Sequence, residues 1–175
     1  MKNDLLSGVE KNIEIQASGL LAQAREEFAF SEARGENSKL KLADRIRSCL
    51  GSTIEVQLID FGWHSLKVLQ VASDHFVASD LSRLFLIKFS SLIALKGLAK
   101  GAKPPNRIDN SWHINSTLRK WMIEQDNVSI FLKNHTSYSG KIKKIYLDHF
   151  ELSTEIGVIA LSESEVLMGV KSGEE

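Results

Sequence analysis

Two short stretches carry the residues best suited to chemistry, Asp74-His75-Phe76 and Asp148-His149-Phe150. A carboxylate beside an imidazole is the raw material of a general base or of a metal site. A metal site needs ligands that converge from different strands. Here each His lies between its own Asp and an apolar Phe, so strand alternation turns the His outward and the Phe inward. Both pairs therefore read as a turn Asp with an exposed strand His, the alternative being a shared ligand or nucleotide contact. His64, His113 and His135 show no ligand spacing. No Ser stands in a Gly-x-Ser-x-Gly elbow, and no Gly-rich loop is built to cradle phosphate. Asp60, Asp74, Asp80 and Asp148 fall at predicted turns, where Asp serves backbone hydrogen bonding alone. Catalysis is not expected, and no cofactor or metal is implied.

The second chemical signal is cationic. Net charge is zero, with 22 basic and 22 acidic residues, so no global field draws the chain to nucleic acid or membrane. The distribution is nevertheless uneven. Lys96, Lys100, Lys103, Arg107, Arg119 and Lys120 face only Asp109 across the middle of the chain, whereas the segment from Glu151 onward is acidic. In Lys141-Ile142-Lys143-Lys144 alternation puts Lys141 and Lys143 on one face. Together with the middle segment, and flanked by Trp112 and Tyr138, these cations could form a strip for phosphate contact and base stacking. The plainer alternative is a solvated strand face beside a charged linker.

The elements that must position these groups come in two copies. Residues 118–170 repeat 46–98. Val71 to Ser79 matches Ile145 to Ser153, and each copy has an alternating run upstream: Ile54, Val56, Leu58 and Val128, Ile130, Leu132. Each ends in an apolar-Gly-apolar tail, Leu95-Lys96-Gly97-Leu98 and Leu167-Met168-Gly169-Val170. Period-two alternation with tight turns predicts five short strands per copy. In the first they are 53–59, 63–71, 75–79, 84–89 and 92–95. In the second they are 127–133, 138–146, 149–153, 157–161 and 166–170. A helix precedes each set: one after Asn37 or Ser38 as cap, ended by Gly51, and one at 117–125 capped by Ser116. Five short strands behind a helix describe a small, strongly bent barrel.

Residues 1–36 read as a helical arm, Leu5, Leu6, Val9, Ile13 and then Leu20, Leu21, Ala24, Phe28 recurring at helical spacing. Gly19 leaves one long helix or two short ones open. Such an arm can cover an open face of its own barrel or zip against a partner. The expected organisation is arm 1–36, first barrel with its helix 37–98, linker 99–115, second barrel with its helix 116–171. If the repeat is real, Phe76 points inward among Val56, Val68 and Leu86. Phe150 then points inward among Ile130, Ile142 and Val158. The lone Cys49 has no disulfide partner and reads as a buried thiol at a helix end. No apolar run approaches the length of a membrane span, and the first residues lack the apolar core of a signal peptide. A cytoplasmic location is expected.

A helix followed by five bent strands resembles the Sm-like fold, an SH3-like small barrel. Leu132 to Ile142 resembles the first Sm motif, in which a hairpin turn leads to a Gly, here Gly140, and an apolar residue. Asp148-His149-Phe150 falls two residues later than that motif's Asp. Ile87-Lys88-Phe89 sits where the second motif has Ile-Arg-Gly, with Lys88 for the basic residue and Phe89 in place of the Gly. The second copy departs further, with Ile159-Ala160-Leu161, and the Met-Asn pair of RNA-binding Sm proteins is absent. Over nearly its whole length the chain resembles an actinobacterial family of unassigned function, through Leu42-Ala43-Asp44-Arg45-Ile46, Gly51, the two Asp-His-Phe stretches and Lys96-Gly97-Leu98.

The fold class expected is thus mainly β with N-terminal helices, two tandem Sm-like five-stranded small barrels, each preceded by a helix. The function this implies is a non-catalytic module binding RNA or DNA weakly. Its site would comprise Lys88, Lys96, Lys100, Lys103, Arg107, Trp112, Arg119, Lys120, Tyr138, Lys141 and Lys143. The alternative is a protein-interaction adaptor using exposed barrel edges and the arm. No membrane partner is expected. Single Sm-like domains close into rings by pairing strand four of one with strand five of the next. In a tandem one barrel can instead pair with, or pack on, its neighbour across the linker, so an intramolecular pseudo-dimer without a ring is expected.

Overall fold

The computed structural model describes residues 40–105 and 111–172. The expected arm, the proposed caps Asn37 and Ser38, and Arg107 lie outside the described residues. Within them, α1 (Leu42–Arg47) leads into β1 (Thr53–Leu58), β2 (Gly62–Val71), β3 (His75–Ser79), β4 (Arg83–Lys88) and β5 (Leu92–Lys96). Then α2 (Ile114–Glu124) leads into β6 (Asn127–Leu132), β7 (Ser137–Ile145), β8 (His149–Thr154), β9 (Gly157–Ser162) and β10 (Val166–Ser172). Short 3-10 turns, Phe89–Ser91 and Glu163–Glu165, join the last two strands of each set. Among the described residues no helix is long and apolar enough to cross a membrane.

All ten strands belong to one antiparallel sheet in the order β5-β1-β2-β3-β4-β10-β6-β7-β8-β9. The repeat seen in the sequence is reproduced in the pairing of the strands, but its tails are shifted by two residues: Leu95, opposite Val56, and not Gly97, takes the place of Gly169, opposite Ile130. Lys67 opposite Ser79 and Val71 opposite Phe76 in the first half become Lys141 opposite Ser153 and Ile145 opposite Phe150 in the second. Both pairings carry a bulge at the same place, between Val68 and Gln70 and between Ile142 and Lys144. A bulge adds one residue on one strand and bends it. Two equivalent bulges therefore bend the long second strand of each half alike.

The halves meet where β4 pairs with β10, Leu86 opposite Gly169 and Ile87 opposite Met168. Side chains cross this seam both ways. Leu167 and Met168 join the core of the first half, with Ile46, Ile54, Val56, Val68 and Phe76. Leu86 joins the core of the second half, with Leu118, Trp121, Ile130, Ile142 and Phe150. Phe76 and Phe150 are fully buried, as the repeat requires.

Two of their expected neighbours lie on the other face of their strand. Leu86 lies opposite Val77, on the other face from Phe76, and Val158 is exposed. The inward residues are Ile87 opposite Phe76 and Leu161 opposite Phe150. A slip of one residue moves a strand's side chains to the opposite face. It went unseen in β4 because Leu84, Phe85, Leu86 and Ile87 are all apolar, both faces of that strand being covered. The second helix is also corrected. It starts at Ile114, ahead of Ser116, which lies in its first turn. The capping acceptor comes from across the seam, Asp74 Oδ2 receiving the Ile114 N–H at 3.3 Å. Cys49 is buried, as expected, and its Sγ accepts the Ala99 N–H at 3.2 Å.

Gly140 shows why one position in β7 has no side chain. A Cβ there would lie 2.0 Å from the Ser153 carbonyl oxygen and 2.8 Å from its carbonyl carbon, both backbone atoms of β8. Backbone held in a paired strand cannot swing aside. Gly140→Ala is expected to cost about 1–3 kcal/mol, as overpacking does, read as a lower urea midpoint at unchanged slope.

Candidate nucleic-acid interface

The Asp-His pairs, alike in sequence, have different surroundings. His75 is fully buried. Its Nδ1 meets Asp74 Oδ1 at 2.7 Å and its Nε2 meets Thr117 Oγ1 at 2.8 Å. A carboxylate only accepts, so Nδ1 donates to Asp74, and the hydroxyl serves Nε2 as donor or acceptor. The expectation of an exposed His is overturned here. His75 does alternate away from Phe76, but α2 covers the outer face of β3 and β4. Among the described residues no helix covers the equivalent face of β8, where His149 is partly exposed. His149 bonds Asp148 at 2.7 Å and stacks on Tyr146 at 4.4 Å.

Asp74, His75 and Thr117 have the order of an orienting acid, a base and a hydroxyl. His75 and Thr117 are buried and both ring nitrogens are partnered, so the bond ties β3 to α2. Burial works to raise the Asp74 carboxyl, but it is outweighed by the hydrogen bond and electrostatic pull of His75 and by the Ile114 N–H. The carboxyl is thus held below its ordinary value. Asp148 is held low chiefly by its bond to His149.

On the other side of the seam lies a cleft of about 720 Å3, built by both halves. That is within the range of small-ligand sites, about 300–1,000 Å3. Phe85, Met168 and Val170 line its depth. Phe61, from the β1–β2 turn, meets Phe131 of β6 edge to face at 4.7 Å, and both rings are half-buried. Arg83 lies over the Phe85 ring, 5.2 Å from its centroid, and is steadied by Asp80 at 2.6 Å. Lys141 and Lys143 stand exposed along β7, the strand next to β6, and share the lining with Ser129 and Ser139, which bond each other at 2.8 Å. Glu155 is the acidic group of the lining. Lys171 also borders the cleft, but its Nζ is bound to Glu124 at 2.5 Å and Asp126 at 2.7 Å.

The sequence-selected residues fall into separate groups. Lys141 and Lys143 enter the cleft, and Tyr138 packs against the second core from the same strand. Trp112 and Lys120 border a different hollow, of about 580 Å3, beside α2. Arg119 is exposed on α2. Lys88 is engaged at the seam with Glu163 at 2.9 Å. Lys96 lies over Trp63, 4.1 Å from the ring centroid, near Glu55. Lys100 and Lys103 follow β5, where the Lys103 backbone bonds Asp44 and Arg47 of α1. Sequence reasoning missed Phe61, His64, Arg83, Phe85 and Phe131. Their signal is period two, Arg83 with Phe85 and Ser129 with Phe131, and it gains meaning only once β4, β10, β6 and β7 are known to be neighbours.

Among the described residues no group of three or more His, Cys, Asp or Glu could hold a metal ion. No family model matches the chain, and no curated protein matches it.

Two outcomes follow from the buried ring. Thr117→Val keeps the side-chain shape and leaves Nε2 of His75 without a partner. It is expected to cost about 1–3 kcal/mol in chemical denaturation, whereas His149→Ala should change stability by about 0.5 kcal/mol or less. The second concerns acid. A carboxyl held low in the folded chain stabilises it above the unfolded value, and that contribution is lost as pH falls through the folded value. The melting-temperature gap between the natural chain and Asp74→Asn should therefore be full near about pH 5 and shrink toward about pH 2.

Proposed function

We propose that each half is an Sm-like small barrel and that the tandem is a non-catalytic module binding single-stranded RNA or DNA in the cleft between the halves. The observation that carries this reading is a single cleft lined both by the exposed Lys141 and Lys143 and by the half-buried Phe61 and Phe131. Cations along a groove track phosphates, and aromatic rings accept bases of any sequence. The serine hydroxyls add donors and acceptors without fixing a sequence. The strand order of each half, with its fifth strand beside its first and a helix ahead, supports the barrel reading. Two free lysines make the binding weak and salt-sensitive.

Fluorescence anisotropy with a labelled oligouridylate at two salt concentrations tests this. Single-stranded binding loses roughly 0.7 of log-log slope per phosphate contact removed. The double variant Lys141→Gln, Lys143→Gln should therefore flatten the salt dependence by about 1.4 units and lower affinity at low salt. Lys100→Gln, away from the cleft, should leave both unchanged. Absence of binding at low salt, or equal loss in the two variants, would overturn the proposal.

A further inference from the structure

Two hairpin turns, equivalent by the repeat, meet beside the cleft. The β1–β2 turn carries Asp60 and Phe61, and the β6–β7 turn carries His135. Nδ1 of His135 bonds Asp60 Oδ2 from one half to the other, and both side chains are exposed. Next to that bond Phe61 and Phe131 touch edge to face, their planes 82° apart. An edge pressed on a ring face occupies the surface that a base would use. Stacked nucleotides rise about 3.4 Å each, so a base held between two parallel rings needs them roughly 7 Å apart. The centroids stand at 4.7 Å, so one ring has to swing before a base enters between them.

The two rings are supported unequally. Phe131 lies within β6, opposite Ser137 of β7 and Met168 of β10. The turn that follows it is closely knit. The Lys133 N–H bonds the Glu165 carbonyl at 3.0 Å and the His135 N–H bonds the Leu132 carbonyl at 3.1 Å. Asn134 Oδ1 receives the Thr136 N–H and hydroxyl at 3.2 and 2.6 Å. Phe61 stands outside both β1 and β2. Its N–H reaches the Leu58 carbonyl at 3.3 Å, and its own carbonyl accepts from His64 Nε2 at 2.9 Å. It is flanked by two left-handed residues, Asp60 at φ 67° and Gly62 at φ 71°. Nothing lies within 4 Å of a Cβ placed on Gly62, so conformation and not crowding calls for glycine there. Loop residues of this kind absorb the dihedral change of a hinge.

We propose that Phe61 and Phe131 are the walls of a slot for one unpaired base, shut in the free chain and latched by the Asp60–His135 bond. Such a slot rests on the cleft being a single-strand site. An entering base swings Phe61 away from Phe131, breaks the latch and stacks between the rings, while Lys141 and Lys143 meet phosphates. An exposed ion pair is weak, and stacking on an aromatic ring outweighs it. A duplex is refused, because its base faces are already covered by its own stacking.

Fluorescence titration of the full chain with an oligouridylate carrying one central 2-aminopurine tests this, since that base dims on stacking. Asn tolerates a left-handed backbone, so Asp60→Asn and His135→Asn keep the two turns. Binding to the natural chain should quench the probe. Each latch variant should bind about two- to fivefold tighter, the worth of an exposed ion pair, and the double variant no tighter than Asp60→Asn alone. Charge by itself predicts otherwise. Losing a carboxylate favours a polyanion, but losing an imidazole does not, so tighter binding by His135→Asn is the decisive result. Phe131→Leu, or Phe61→Leu should the first not fold, should keep the salt dependence and lose the quenching. Equal or weaker binding by His135→Asn overturns the proposal, as does quenching that survives loss of a ring. Salt-dependent binding without quenching also overturns it and leaves the single-strand reading of the cleft standing. Absence of binding by the natural chain and every variant removes both.

Discussion

The structure depends on a buried imidazole held at both ends. His75 lies on the outer face of the first half, where an isolated sheet would meet water. Asp74 holds one nitrogen, and Thr117, from the helix of the second half, holds the other. The same Asp74 receives the Ile114 N–H at the start of that helix. A buried polar group without a partner costs more than a satisfied one contributes. The geometry around His75 is therefore demanded rather than merely allowed: if α2 moved off β3, two of these bonds would break together. Leu86 and Gly169 set the spacing beneath, since Gly169 has Trp121 about 3.0 Å from where a Cβ would sit. Packing and hydrogen bonding thus specify one arrangement of the halves, the agreement between levels that yields a single fold.

Much of this was legible. Alternation gave all ten strands, most ends falling within a residue of those found, because each strand has one apolar face and turns rich in Gly, Asp and Ser. The repeat was legible too, and the matching bulges show that it reaches the pairing pattern. What could not be read was coverage. The face of β3 that bears His75 has the sequence character of a solvent face, and nothing in Asp74-His75-Phe76 tells that a helix about forty residues on returns to cover it. The facing of β4 was misread for the same reason: a strand buried on both faces loses the alternation that fixes its phase.

The cleft was half legible on similar grounds. Lys141 and Lys143 declare themselves by spacing on one strand, and they do share its face. Their aromatic counterparts come from a turn of the first half and from β6 of the second, so they converge only because β10 stands between β4 and β6. Net charge and local cation counts are blind to such convergence. They are equally blind to cations already spent. Lys88 and Lys171 count as basic in the sequence, yet Lys88 is bound to Glu163 and Lys171 to Glu124 and Asp126. Burial works against the charge of Lys171, and those two acids outweigh it and hold its ammonium above its ordinary value.

Near-identical motifs therefore do different things in the two halves, and the cause is positional. Asp74-His75 stands at the interior of a ten-stranded sheet, Asp148-His149 near its end. Interior position brings a helix over the first pair and converts it into a tie between elements. End position leaves the second pair with a ring stacked on Tyr146 and a carboxylate facing water. Coverage of the outer face thus decides whether the motif ties two elements together or stays a local pair.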